Sequence, residues 1–151
     1  MSVSTGTARE HARLERSRLV DPWRLSLWVV QLLLAATFAD DGLVKATQPI
    51  AVLIEAFTWP SHTTLGLVRV IGFIELVAAL GLVLPTATRI VPGVTPIAAS
   101  FLTLLMGLAF VFHIMCGHWQ MLPSDIVLGL LTAFVAWGRF VKAPVDPRFL
   151  D

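Results

Sequence analysis

The chain has 151 residues, 56% of them hydrophobic and only 14% charged, with a mean hydropathy of +0.80, which excludes a water-soluble domain of this size. The net charge of +1 hides an uneven distribution: Arg9, Glu10, Arg13, Glu15, Arg16, Arg18, Asp21 and Arg24 crowd the start, and long stretches after them carry almost no charge. That basic head lacks interleaved aromatics and runs straight into an apolar stretch, which argues against a nucleic-acid partner and for an anchor on anionic lipid. A single cysteine, Cys116, excludes an intrachain disulfide and a dithiol redox pair.

In chain order, residues 1–24 read as a basic, partly disordered cytoplasmic segment, residues 25–141 as the membrane domain and residues 142–151 as a cytoplasmic tail. A bilayer core takes about 20 apolar residues per helix. The sequence supplies such a run four times, near residues 25–44, 65–84, 92–115 and 122–141, which predicts an all-α, antiparallel four-helix transmembrane bundle. The first run also has the outline of a secretory signal, with Thr37-Phe38-Ala39 as a small-residue cleavage site. Its leader is long, the apolar stretch runs past the cut, and cleavage would strand Asp40 and Asp41, so it is read as a span. Between the first two runs, Ile50, Leu53, Ile54 and Phe57 recur at i, i+3, i+4 and i+7 after Pro49, which predicts a short amphipathic helix in the outer interface. It serves either as a lid or as a connector shielding the bundle end. Leu84-Pro85-Thr86 marks the close of the second span, Pro92 and Pro96 the opening of the third, and Pro123-Ser124-Asp125 the start of the fourth.

Orientation follows from the basic residues. With the amino terminus inside, Arg9, Arg13, Arg16, Arg18, Arg24, Arg89, Arg139, Lys142 and Arg148 are cytoplasmic, and only Lys45 and Arg69 lie toward the other side. Trp23, Trp28 and Trp137 then fall at the inner interface, and Trp59 and Trp119 at the outer one.

Ionisable residues within such spans are costly, so each needs a partner or a function. Counting ~1.5 Å per residue, Asp40, Asp41, Arg69, His113 and Asp125 come within roughly 6 Å of the outer hydrocarbon edge, while Glu75 lies about 15 Å deep. These groups from four helices can build a shared site in the outer half. Arg69 is a natural counter-ion for Asp40, Asp41 or Asp125, and Asp41 and Lys45 have the i, i+4 spacing of a local pair. Glu75 has no partner on its own helix; it bonds to another helix, binds a ligand, or is protonated. Structural roles compete with each: a helix-start cap for Asp125, a solvated pair for Asp41 with Lys45, a bundle tie for Arg69. The candidates are Glu75, Asp40, Asp41 and Arg69 for catalysis, and His113, Asp125 and Lys45 for ligand binding. His113, Cys116 and His118, with His62 nearby, lack a recurring paired-ligand pattern, and no metal is assigned. Gly66, Gly72, Gly81, Gly107 and Gly129, with Ala78 and Ala79, suit close helix contact, and the sequence has no nucleotide loop, nucleophile elbow, haem site or cluster cysteine set.

The run Asp41-Gly42-Leu43-Val44-Lys45 and the segment Ile71-Gly72-Phe73-Ile74-Glu75-Leu76-Val77-Ala78-Ala79-Leu80-Gly81-Leu82-Val83-Leu84-Pro85 resemble the DoxX-like membrane family. The likeness extends over residues 25–140, including Trp137-Gly138-Arg139-Phe140. It implies a small four-helix membrane protein of a group described as oxidoreductases or as the small subunit of a thiosulfate:quinone oxidoreductase. It marks Gly42, Lys45 and Glu75 as motif positions without giving any of them a catalytic step, and Asp40 and Asp41 depart from its small or apolar residues.

Three functional readings follow. One is a redox-associated subunit that binds a quinone or another lipophilic molecule and needs an electron-carrying protein partner, since the chain has no flavin, haem or cluster motif. Another is a cofactor-independent acid/base enzyme, an isomerase, cyclase or hydratase, acting on a lipophilic substrate. The last is a non-catalytic scaffold or carrier, working as a homo-oligomer if it transports.

Overall fold

The computed structural model describes residues 21–57 and 63–148, and expectations about the basic head, Trp59 and His62 lie outside them. Helix α1 (Pro22–Thr47) opens where Asp21 accepts a hydrogen bond from the Trp23 amide at 3.1 Å and Pro22 takes a first-turn position that needs no amide donor. After a break at Gln48 and Pro49 comes the predicted short helix, α2 (Ile50–Phe57). Helix α3 (Leu65–Thr88) begins with the Thr64 hydroxyl accepting from the Leu67 amide, and α4 (Val94–Met115) follows a turn through Pro92. A 3₁₀ turn (Trp119–Met121) leads into α5 (Leu122–Trp137), which continues as a π-helical turn over Gly138–Lys142.

Among the described residues, four helices are long and apolar enough to cross a membrane, as expected. Their lipid-facing sides carry Leu33, Phe73, Leu80, Ile97, Leu104 and Leu130, all of them exposed. Only a hydrocarbon solvent accommodates so much uncovered apolar surface. The bundle closes as a ring: α1 packs most extensively on α3, α3 on α4, α4 on α5, and α5 returns to α1. Its core is Leu34, Phe38, Ala78, Ala79, Leu82, Leu102, Met106 and Val135.

One expected boundary moves. The second helix does not end at Pro85; it runs one turn further to Thr88 and stops at Arg89, whose φ of 57° is left-handed. Proline lacks the amide that would bond to the Gly81 carbonyl. Thr95 on α4 donates its hydroxyl to that carbonyl at 3.2 Å instead, and Thr86 donates to Thr95 at 2.8 Å. The neighbouring helix thus satisfies the backbone group that proline frees, and the helix continues. On α2, Leu53 is fully buried against Val68, with Val44, Ile71 and Phe112 around them, whereas Ile54, expected on the same inward face, is 39% exposed.

The α1–α3 contact rests on two glycines. A methyl group at Gly42 would sit 2.7 Å from the Gly72 carbonyl oxygen, and one at Gly72 would sit 2.8 Å from the Gly42 carbonyl oxygen and 3.0 Å from the Ala46 amide nitrogen. These are backbone atoms of the partner helix and cannot turn aside. We predict that Gly72→Ala forces the helices apart and lowers stability by about 1–3 kcal/mol, whereas Gly66→Ala, whose added methyl meets nothing within 4 Å, costs nothing measurable. Thermal unfolding of the two variants in detergent checks this.

Candidate functional site

The glycine contact brings Lys45, at the end of α1, within reach of Glu75, about 15 Å into α3. Lys45 Nζ donates to both carboxylate oxygens of Glu75, at 2.6 and 2.8 Å, and the two side chains are 8% and 2% exposed. The Phe57 ring of α2 lies 5.2 Å from the same ammonium, so the short helix adds a cation–π contact above the pair. Of the alternatives for Glu75, bonding to another helix is the one observed. Lys45 is correspondingly not the partner of Asp41 in a close local pair: among the described residues its short ion pair is with Glu75.

A second buried pair joins α4 to α5. His113 Nδ1 lies 2.6 Å from Asp125 Oδ2, each side chain 8% exposed. The cap expected of Asp125 is absent; α5 starts without a side-chain cap, and the aspartate turns inward to the histidine.

The two pairs share one cavity of about 350 Å³. Its wall is mostly hydrocarbon, with Leu67 and Ile71 from α3, Leu105, Ala109 and Phe112 from α4, Leu128 from α5 and Phe57 from α2. Asp41, Lys45, Glu75, His113 and Asp125 supply its ionisable groups. An apolar slot with a few convergent polar groups is the usual make-up of a small-molecule site.

Two candidates fall outside it. Asp40 is exposed on the far side of α1 and does not line the cavity. Arg69 is not a counter-ion for Asp40, Asp41 or Asp125: it donates through Nη1 to the Lys45 carbonyl at 2.8 Å and through Nη2 to the Gln48 carbonyl at 2.7 Å. The end of α1 offers unpaired carbonyls and the negative pole of the helix, and a forked cation satisfies both. His118 donates its amide to the His113 carbonyl at 2.8 Å, and among the described residues no three His, Cys, Asp or Glu side chains come together as a metal site.

Sequence reasoning missed a buried polar group in the other half of the bundle. Gln31, fully buried, donates to the Leu82 carbonyl at 2.6 Å and accepts from Arg139 Nε at 2.6 Å. A lone glutamine in the apolar run after Trp28 was the available signal.

A ring of apolar helices that encloses two buried ionisable pairs around a hydrocarbon-lined cavity defines a multi-pass integral membrane protein. The profile of the DoxX-like family matches residues 29–135, and the chain belongs to that family. Comparison with curated proteins and with solved structures finds no match.

Removing one partner of a buried pair strands the other charge. We predict that Glu75→Gln destabilises the protein by about 3–5 kcal/mol. Replacing both Lys45 and Glu75 with methionine is expected to cost less than that single change, because no charge is left unpaired. Unfolding of the wild type, Glu75→Gln and the double methionine variant decides it.

Proposed function

We propose that the protein is a redox-associated membrane subunit that binds a quinone or a similar lipophile in the cavity shared by Lys45–Glu75 and His113–Asp125. The observation that carries this reading is the pairing of a hydrocarbon-lined volume of about 350 Å³ with two buried acid–base pairs on its wall. A quinone needs an apolar slot for its ring and tail, a donor for each carbonyl oxygen, and groups that supply or take protons when its redox state changes. The Lys45 ammonium is such a donor. His113, held by Asp125 through Nδ1, has Nε2 as its second ring nitrogen, which can exchange a proton with a bound oxygen. Electrons come from a protein partner, since the chain carries no redox-cofactor motif.

The His113–Asp125 pair also favours a second reading. A histidine oriented by a carboxylate is a general base or acid, and isomerisation of a lipophilic substrate requires only proton transfer. The site residues under either reading are Lys45, Glu75, His113 and Asp125, with Asp41 at the wall; Asp40 and Arg69 have no part in it.

Purified protein mixed with a short-chain ubiquinone or menaquinone tests the first reading. Wild type should melt at a higher temperature with quinone and retain it in native mass spectrometry, and His113→Ala should lose both effects. If neither protein responds, the quinone reading fails. Turnover of a lipophile without any redox partner, abolished by Asp125→Asn, would instead favour the isomerase-type reading.

We also propose that both termini lie in the cytoplasm of a cell whose plasma or inner membrane holds the protein. Among the described residues, Arg24, Arg89, Arg139, Lys142 and Arg148 gather at one end, and only Lys45 and Arg69 lie toward the other. Cys116, a free and half-buried thiol just after α4, sits at the second end. A membrane-impermeant maleimide should therefore label intact cells at Cys116, and labelling only after lysis would reverse the topology.

A further inference from the structure

Arg139 lies at the end of the bundle opposite the cavity, in the π-helical turn that follows Trp137. It is 5% exposed, and among the described residues no carboxylate comes within 4 Å of it. One edge of its guanidinium is fixed: Nε donates to Gln31, which is itself tied to the Leu82 carbonyl, and the plane lies 5.5 Å from the Trp28 ring. Nη2 is enclosed and has no hydrogen-bond partner. Arg24, of the same sign, is nearby and is itself within 3.9 Å of the Asp21 carboxylate.

A buried guanidinium with a neutral anchor, a like charge nearby and an unused nitrogen is, among the described residues, an uncompensated cation. Such a group is costly unless an anion reaches it. With Nε engaged, Nη2 is the nitrogen left without a partner; it is enclosed, so an anion reaches it only as side chains at this end of the bundle move aside, and Nη2 then donates to one of the anion's oxygens. The surroundings suit an anion at membrane-headgroup depth. Arg24 and Lys142 are exposed beside it, Lys142 lies 5.3 Å from the Trp137 ring, and Trp23 packs on Trp137 at 5.8 Å in an interfacial aromatic cluster.

From this geometry we infer a second binding site, independent of the cavity, in which Arg139, preset by Gln31 and supported by Arg24 and Lys142, binds a phosphate-class anion. The oxygens come either from a phospholipid headgroup or from free phosphate. The site would fix the register of α5 against α1 through Gln31 and make the bundle's stability depend on the anion.

Full-length protein in mild detergent, titrated separately with phosphatidylglycerol, phosphatidylcholine and inorganic phosphate, tests this by native mass spectrometry and melting temperature. Wild type should bind phosphatidylglycerol about tenfold more tightly than Arg139→Gln does, while phosphatidylcholine binds both alike. Arg148→Gln, which removes an exposed basic residue outside the proposed site, should keep the preference. Stabilisation by inorganic phosphate equal to that by phosphatidylglycerol assigns the site to free phosphate; stabilisation by phosphatidylglycerol alone assigns it to the headgroup. Should Arg139→Gln fail to fold, Arg139→Lys, which keeps the charge and loses Nη2, must bind phosphatidylglycerol more weakly than wild type does. A wild type that neither distinguishes phosphatidylglycerol from phosphatidylcholine nor responds to phosphate overturns the proposal, as does a folded Arg139→Gln with undiminished preference.

Discussion

The contact of Gly42 with Gly72 determines what the other parts of the outer half can do. Each glycine leaves room for the other's carbonyl oxygen, and no residue with a side chain fits in either place without moving a helix backbone. In lipid, where apolar surfaces gain little by leaving the solvent, close backbone approach is a main source of helix association. Here it also sets the reach of Lys45 to Glu75 at 2.6 Å. Were α1 and α3 separated by the width of a larger residue, the ammonium would fall short of the carboxylate, and two charges would be left in hydrocarbon.

The same requirement, that each polar group in the membrane be satisfied within the protein, explains features of the fold that look unrelated. Arg69 closes the carbonyl end of α1. Thr95 takes the carbonyl that Pro85 cannot serve, which allows α3 to run on to Thr88. Thr103 donates to Thr132 at 3.0 Å between α4 and α5, while Thr132 also bonds back to its own helix. Each bond satisfies a group and fixes one helix against its neighbour. The ring is tied at several levels by polar contacts although its core is hydrocarbon.

These observations show how far the sequence could be read. Spans were legible because a membrane imposes length and composition on a helix, and the short helix after Pro49 was legible because its apolar residues repeat at helical spacing. The nearness of Asp41, His113 and Asp125 along their helices was legible too, since rise per residue converts position into height, and these three line one cavity. Partners were not. Asp41 and Lys45 have ideal local spacing, yet Lys45 turns to Glu75 because a neighbouring helix at glycine distance offers a fully buried carboxylate, which local spacing does not reveal. Asp125 follows a serine at a helix start and reads as a cap, but the histidine that claims it is on α4. Pro85 reads as a stop, and only knowledge of Thr95 on the facing helix shows why it is not. Cross-helix geometry decides each case, and a single sequence records it only faintly.

The position of the buried ion pairs carries the last step. A buried ion pair is poor evidence for stability, because hydrocarbon side chains of like size often serve as well or better. A bundle needing only cohesion could have joined its helices with threonines, as it does at Thr86–Thr95 and Thr103–Thr132. Instead both of its tightest ionisable pairs stand on the wall of one cavity, and each draws its members from two helices, so that all four long helices contribute one group. Hydroxyl contacts tie α3 to α4 and α4 to α5, and the two ionisable pairs stand where a ligand in the shared cavity could meet them. That division of labour is what a binding site predicts and what packing alone does not.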